Sequence, residues 1–247
     1  MAEADRIVDE YARRAAEIPA DRYAPWAPAQ LLLRQSRERA VLGVLRRAGM
    51  LPLGSRRILD VGCGIGQWLA DFETWGADRS ALAGIDLLPA RIEAARTRLT
   101  PGADLRVGDA SRLPWPACEF DLVVQSTVFS SILDPGMRAA VAAEMARVLA
   151  PSGAILWNDF FVDNPRNRAV RGVRRNEIAR LFGGFDVELR RVTLAAPLAR
   201  AIVPRSHLAA TALESLGWFN THYVGVLRRQ TARRSPNASS SSAGASR

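Results

Sequence analysis

The sequence predicts an α/β fold, a mostly parallel sheet with helices on both faces, from three observations. Between residues 56 and 160, apolar runs alternate with stretches of helical character in the order strand, helix, strand, helix, strand, loop, strand, helix, strand. Alternation at this spacing is the pattern of βαβ units. The runs themselves, such as Arg57-Ile58-Leu59-Asp60-Val61 and Phe120-Asp121-Leu122-Val123-Val124-Gln125, are nearly continuous in apolar character, as strands covered on both faces require. The first run passes straight into Gly62-Cys63-Gly64-Ile65-Gly66, where glycine lets the backbone turn sharply and approach a ligand with no Cβ in the way.

The elements follow in chain order. Residues 1–50 read as an N-terminal helical cap. Val8 to Ile18 makes a short helix, Pro19 to Pro28 a proline-broken loop carrying Tyr23 and Trp26, and Gln30 to Ala48 a longer amphipathic helix with Leu31, Leu32, Val41, Leu42 and Leu45. The α/β domain occupies 51–230. A second strand ends at Gly84-Ile85-Asp86-Leu87, a helix begins near Pro89, and a third strand runs through Asp104-Leu105-Arg106-Val107-Gly108-Asp109-Ala110. Leu113-Pro114-Trp115 is the loop before the fourth strand, which ends at Gln125. A helix through Glu144 to Ala150, a Pro151-Ser152-Gly153 turn and a fifth strand come next. Residues 173–182 form another helix, Phe185 to Leu194 a sixth strand, Leu198 to Leu216 a mostly helical stretch and Trp218 to Leu227 the last strand. Residues 231–247, rich in Ser, Ala and Arg, read as a disordered tail.

Composition bounds the function. Hydrophobic content of 48% over 247 residues supports one large core. No run reaches the roughly 18 apolar residues that a membrane span needs, and Met1-Ala2-Glu3-Ala4-Asp5 lacks an apolar signal core. Cys63 and Cys118 give neither a disulfide framework nor metal-ligand spacing. A reducing cytoplasm is the expected compartment, with no metal and no integral membrane association. The net charge of +9 invites a nucleic-acid reading. The chain has no lysine, however; all 34 basic residues are arginine, and they are spread along it. That suggests coding bias more than a phosphate-binding face.

Ligands of open parallel sheets bind beyond the carboxyl ends of the strands, which gathers Gly62, Asp86, Asp109 and Gln125 around one crevice. Asp60 can orient the glycine loop or, through ordered water, a ligand's charged end. Asp86 is placed to grip both hydroxyls of a ribose. A dinucleotide fingerprint would need glycine where Gln67 stands, so the loop does not read as a pyrophosphate cradle. The G-x-G-x-G pattern after Asp60, together with Asp86, Gly108-Asp109-Ala110, Gln125 and the Pro-x-Gly segment, resembles the class I S-adenosylmethionine-dependent methyltransferases over about residues 55–160. The resemblance is nearest the small-molecule branch labelled methyltransferase type 11. It implies a Rossmann-like seven-stranded mixed sheet in the order 3-2-1-4-5-7-6, S-adenosyl-L-methionine as cofactor, and methyl transfer to a small-molecule acceptor by in-line displacement. It also implies cofactor contacts from Asp60, Gly62, Cys63, Gly64, Gly66, Asp86 and Leu87. Asp109 would take the adenine amino group, Ala110 a ring nitrogen, and Gln125 the sulfonium end. Trp68 shields the adenosine or packs in the core. The N-terminal cap offers Tyr11, Arg34 and Gln35 as further contacts.

The acceptor side is less legible. Asp159, after the fifth strand, and His222, on the last, are the candidates for a catalytic base; Asp163 and His207 follow. Ser126, Thr127 and Ser130 line an acceptor pocket or serve as turn residues. Gln125-Ser126-Thr127-Val128 stands where an Asn-Pro-Pro-Tyr-type segment would mark amino methylation, and there is no Pro-Cys pair for covalent attack on cytosine, so DNA is not expected as a partner. Arg166, Arg168, Arg171, Arg174, Arg175 and Arg180 either bind an anionic acceptor, such as a nucleotide- or lipid-linked sugar, or form a solvated helix face. An RNA methyltransferase and a non-catalytic S-adenosylmethionine-binding protein are the alternative readings. An aminopropyl transferase is disfavoured because Gln125-Ser126 offers no acidic pair.

Overall fold

The computed structural model describes residues 2–17, 24–164 and 167–230. Tyr23, Arg166 and the 231–247 tail lie outside the described residues. A seven-stranded sheet runs in the order β3-β2-β1-β4-β5-β7-β6. Its parallel part comprises β1 (Ile58–Val61), β2 (Leu82–Asp86), β3 (Asp104–Val107), β4 (Phe120–Ser126) and β5 (Leu149–Phe160). The antiparallel end is β6 (Phe185–Leu194) and β7 (Asn220–Arg229). The predicted order is the observed one. Every residue of β1 and of β2 is buried, which is why their sequences show no polar alternation.

Two apolar layers sandwich the sheet. On one face Leu59, Val61, Val123, Ile155 and Trp157 pack against α5 (Pro135–Val148) and α6 (Arg175–Leu181). The Trp157 ring sits 4.9 Å from Phe129 and 6.1 Å from Phe182. On the other face Ile58, Leu122, Val124, Leu156, Val224 and Val226 pack against α2 (Pro28–Arg47), α3 (Gln67–Thr74) and α4 (Pro89–Arg98). A smaller cluster joins the start of α2 to α7 (Ala196–Ile202) and α8 (His207–Ser215) through Ala29, Leu32, Leu33, Leu194, Ala199, Val203 and Ala210. α1 (Glu3–Glu17) lies apart from α2, on the α5 face, where Ile7 is its one buried residue. The first 50 residues are therefore not one cap: α2 belongs to the opposite layer.

Local chemistry sets the helix starts. Asp134 accepts from the Met137 N–H at 2.6 Å and Pro135 opens α5, a capped start with proline where no donor is needed. Ser206 caps α8 through Ala209 N–H at 3.1 Å. The expected Pro151-Ser152-Gly153 turn is absorbed into β5 as an irregularity. Phe120 pairs with Leu149 but Leu122 with Ala154, so extra residues bulge from β5 before its regular pairing begins. The predicted helix at 198–216 breaks into α7 and α8 around Pro204, a residue that cannot sit inside a helix.

One buried ion pair fixes the loop after β4 against α6. Arg138 is fully buried; its Nε donates to the Ile132 carbonyl at 2.6 Å and its Nη1 to Glu177 at 2.6 Å. Its Nη2 has no partner. Glu177→Ala leaves a buried guanidinium without its counter-charge, and a loss of about 3 kcal/mol in denaturant unfolding is expected. A loss below about 1 kcal/mol, the range of exposed pairs, would show that the pair does not brace the loop.

Candidate functional site

The carboxyl ends of β1, β2 and β4 meet at the switch point between β1 and its two neighbours. A cavity of about 290 Å³ opens there. Its walls come from the glycine loop (Gly62, Cys63, Gly64, Ile65), the tip of β2 (Asp86, Leu87, Leu88), Gly108 and Ala110 after β3, and Ser126, Thr127 and Val128 after β4. Ile7 and Tyr11 of α1 and Met137 and Val141 of α5 complete it.

The loop is held by its neighbours. Cys63 N–H donates to the Ile85 carbonyl at 2.9 Å and Gly66 N–H to the Cys63 carbonyl at 2.9 Å. Asp86 takes two amides: Gly64 N–H on Oδ2 at 2.9 Å and Leu88 N–H on Oδ1 at 3.0 Å. Gly62 has φ +68, and a Cβ there would stand 2.5 Å from Val128 Cγ2. Both the conformation and the space demand glycine. Gly66 starts α3 in the left-handed region and is not itself on the wall. Burial pushes the Cys63 thiol well up, leaving it a neutral filler of the wall.

Asp60 lies at the base of the cavity, 1% exposed, and neither of its carboxylate oxygens has a hydrogen-bond partner. Burial, and then the nearby Asp86 carboxylate, raises its pKa well above the usual range. Buried polar groups are nearly always paired, so this acid calls for a donor or cation from a ligand. The donor set fits S-adenosylmethionine: an unpaired acid for its positively charged end, Asp86 for ribose hydroxyls, and a cradle that a Cβ at Gly62 would fill.

Other expected contacts stand differently. Asp109 is not on the wall; its Oδ1 accepts from the Ser111 N–H at 2.8 Å, which closes the turn that presents Gly108 and Ala110. Gln125 is fully buried behind the wall, its Oε1 accepting from Val128 N–H at 3.3 Å and its Nε2 unpartnered. Trp68 is on the wall and also part of the α3 aromatic cluster with Phe72 and Trp75. Tyr11 lines the cavity; Arg34 instead pairs with Glu38 and Asp71 on the other face, and Gln35 is not on the wall.

The two expected bases do not face the cavity. Asp159 is fully buried on the α5–α6 face and accepts from Ser130 N–H at 3.1 Å and Phe160 N–H at 2.8 Å. It anchors the loop that carries Ser130, which is itself buried and off the wall. His222 points to the opposite face, where its ring lies 3.9 Å from that of Phe160 and Nδ1 is 2.9 Å from Thr221 Oγ1. Burial, aided by Arg37, pulls its pKa down to about 3, so it stays neutral. His207 is exposed at the start of α8, and Asp163 accepts from Gly172 N–H at 2.9 Å outside the cavity. Arg171, Arg174, Arg175 and Arg180 line two adjoining grooves, which share Arg174 and have no residue in common with the cavity. Arg171 binds Glu177 and Arg175 the Val187 carbonyl.

Sequence reasoning offered Tyr11 but missed its partners in the roof, Arg91 and Ser131. Arg91 is on the wall, 3.9 Å from Asp86 Oδ2, with its guanidinium 3.9 Å from the Tyr11 ring centroid. Tyr11 Oη is 3.2 Å from Ser131 Oγ, and Arg6 Nη2 donates to the Ser131 carbonyl at 2.6 Å. Only the spacing of Arg91 after Asp86, one helical turn into α4, could have hinted at this strap.

Burial lifts the Asp159 carboxyl to about 6 against the pull of the Ser130 N–H. The folded state thus holds this proton more tightly than the unfolded chain. The contribution is full below about pH 4 and is lost as pH rises through 6. The stability difference between Asp159→Asn and the parent should shift toward the variant, by on the order of 1–3 kcal/mol, between pH 4 and pH 7. A pH-independent difference in thermal unfolding would refute the burial argument.

The comparisons agree with this geometry. Residues 58–153 match the family described as a methyltransferase domain. A phthiotriol/phenolphthiotriol dimycocerosates methyltransferase of Mycobacterium tuberculosis is 34% identical over 120 residues, 48% of this chain and 43% of that one. A demethylmenaquinone methyltransferase of Deinococcus radiodurans is 32% identical over 118 residues, 46% of each chain. The chain thus spans less than half the length of these curated relatives. A solved S-adenosylmethionine dependent methyltransferase from Mesorhizobium loti shares the fold, with a TM-score of 0.56 at 20% identity over 77% of this chain and 98% of that one. Residues 58–153 are thus similar to a methyltransferase domain, and the sheet order and the glycine loop agree with that likeness.

Proposed function

We propose that this protein transfers a methyl group from S-adenosylmethionine to a lipophilic small-molecule acceptor. The observation that carries the reading is the unpaired, buried Asp60 carboxyl at the base of a cavity whose rim is Asp86 and the glycine loop. When bound, S-adenosylmethionine supplies a methyl group made electrophilic by its sulfonium. The chain's own residues bind, orient and exclude water. Asp86 keeps lone pairs for ribose hydroxyls beyond the two amides that it holds. Gly108 and Ala110 offer backbone to a base edge, and Leu87 an apolar face. Asp60 answers the charged end.

The acceptor class rests on the remaining wall. Ile7, Val128, Ile132, Met137 and Val141 give it a large apolar share, with polar groups of Ser126, Thr127, Ser131, Gln67, Tyr11 and Arg91 among them. Thr127 has φ +59, a conformation that is uncommon outside glycine and concentrated at functional sites. Relatives named for a lipid and for a quinone support the same class. The arginine grooves lie apart from the cavity, so the charged-acceptor reading loses its main support. No side-chain base is needed in this proposal: in-line orientation alone can contribute about 7–11 kcal/mol, and Asp159 and His222 serve structural roles.

Calorimetric titration with S-adenosylmethionine tests the cofactor. Asp86→Ala removes charge-assisted hydrogen bonds of about 1.5–3 kcal/mol each, and affinity should fall at least tenfold. Unchanged affinity would move the ribose away from Asp86. Incubation with lipophilic hydroxyl-bearing acceptors, read by mass spectrometry, should give products 14 Da heavier (the mass of an added CH₂, about 14 Da) with wild type. His222→Phe should keep turnover within about threefold, because the ring takes no part; a hundredfold loss would restore it to the mechanism.

A further inference from the structure

The residues 206–221, Ser-His-Leu-Ala-Ala-Thr-Ala-Leu-Glu-Ser-Leu-Gly-Trp-Phe-Asn-Thr, are unusual in a chain that is 24% charged. Glu214 is their one formal charge, and it turns inward, accepting from Thr193 N–H at 2.9 Å and from the Ser36 hydroxyl. Beside the exposed but uncharged His207, Thr211 and Ser215, large apolar side chains face outward. Leu208 is 80% exposed, Trp218 79%, Leu216 58% and Phe219 47%. Ala209 and Ala212 are also exposed between them. The start of α2, packed into the same small cluster through Ala29, Leu32 and Leu33, adds exposed Trp26 and Leu31.

Charge complements this surface. From Leu189 to Leu213 there is no acidic residue, but there are four arginines, Arg190, Arg191, Arg200 and Arg205. All four are exposed, and Arg200 and Arg205 flank the turn between α7 and α8. Tryptophan and arginine beside exposed leucine and phenylalanine are the chemistry of a membrane interface, where indole rings sit at headgroup level and guanidinium groups bind phosphate.

We infer that the α8 face and the Trp218–Phe219 turn form a docking surface for an anionic lipid bilayer. The position suits that role. Leu194 ends β6 opposite Asn220, and Phe160 ends β5 opposite His222, so α7 and α8 project from the same sheet edge at which the cavity opens. Docking there brings the cavity edge toward lipid. The inference stands on the surface itself and does not require the acceptor reading, since its test involves neither cofactor nor acceptor.

Flotation of the full chain with vesicles of phosphatidylglycerol and phosphatidylcholine should show binding that vesicles of phosphatidylcholine alone do not support. Binding should weaken as salt rises, because headgroup attraction is screened. The double variant L208S/W218S should lose at least fivefold in vesicle binding while its thermal midpoint and circular dichroism stay as in the parent, both side chains being exposed. Absence of vesicle binding, or equal binding by the double variant, would overturn the inference. So would a concentration-dependent dimer in sedimentation velocity that the double variant abolishes without any vesicle binding, which would assign the surface to self-association.

Discussion

Everything at the site depends on one carboxylate receiving two backbone amides. Asp86, at the tip of β2, accepts from Gly64 in the loop after β1 and from Leu88 at the entry to α4. Charge-assisted bonds of this kind are shorter and roughly twice as strong as neutral ones. They lock the glycine loop to the neighbouring strand and set the angle at which α4 leaves the sheet. The same arrangement leaves Asp60 stranded. Two amides of the loop that follows it are committed elsewhere, Gly64 to Asp86 and Cys63 to the Ile85 carbonyl. A second acid is thereby buried beside the first with no donor of its own. Such a group disfavours the empty fold and favours any ligand that brings a cation or N–H groups to it. The two acids thus stand side by side at the cavity, one satisfied by backbone and one not.

The roof is built on weaker terms. α1 contributes a single buried residue, Ile7; a helix of its length is marginal alone in water. Its position comes from polar links: Glu3 holds Arg6, Arg6 reaches the Ser131 carbonyl, and Tyr11 joins Arg91 to Ser131. The Arg6 guanidinium and the Leu133 N–H hold the Glu3 carboxyl down near 2. The links to Ser131 and Arg91 end on residues that line the cavity, so the fit of α1 and the shape of the wall are coupled. Few buried apolar contacts mark the low-stability end of a structure, which is where a covering element over a ligand cavity belongs.

The fold was legible because it is written in burial. Ile58 to Val61, Leu82 to Asp86 and Phe120 to Gln125 are almost wholly buried and read as nearly continuous apolar runs, bounded by glycines and prolines. The gathering of the glycine loop and Asp86 around one crevice was legible, since a turn at a strand end restricts residue type. Asp109 was harder. An acid after a strand serves a turn or a ligand with equal ease, and here it spends an oxygen on Ser111. Asp159 and His222 misled because sequence gives a residue's strand but not its face. Pairing of Phe160 with His222 and Asp159 with Tyr223 sends the two candidate bases into opposite packed layers, and neither toward the cavity. Of the roof only Tyr11 was readable, because its partners Arg91 and Ser131 are far from it in the chain and ordinary in kind.

The net charge follows a related logic. A lysine-free chain has only the guanidinium fork for its positive charge, and the fork is well suited to closing loops because it presents several donors in a fixed plane. Arg147 donates to the carbonyls of Leu113 and Trp115, Arg106 to that of Pro114, Arg56 to those of Met50 and Gly49, and Arg229 to that of Ala146. Others pair with carboxylates along their own helices, as Arg13 and Arg14 do with Glu10. Charge used this way staples backbone and does not build a phosphate-binding stripe, so a high isoelectric point here carries little information about nucleic acid. The surface that departs from the pattern is the one where arginines border apolar side chains with no acid among them. Position and neighbours, not the total, decide what a positive charge recognises.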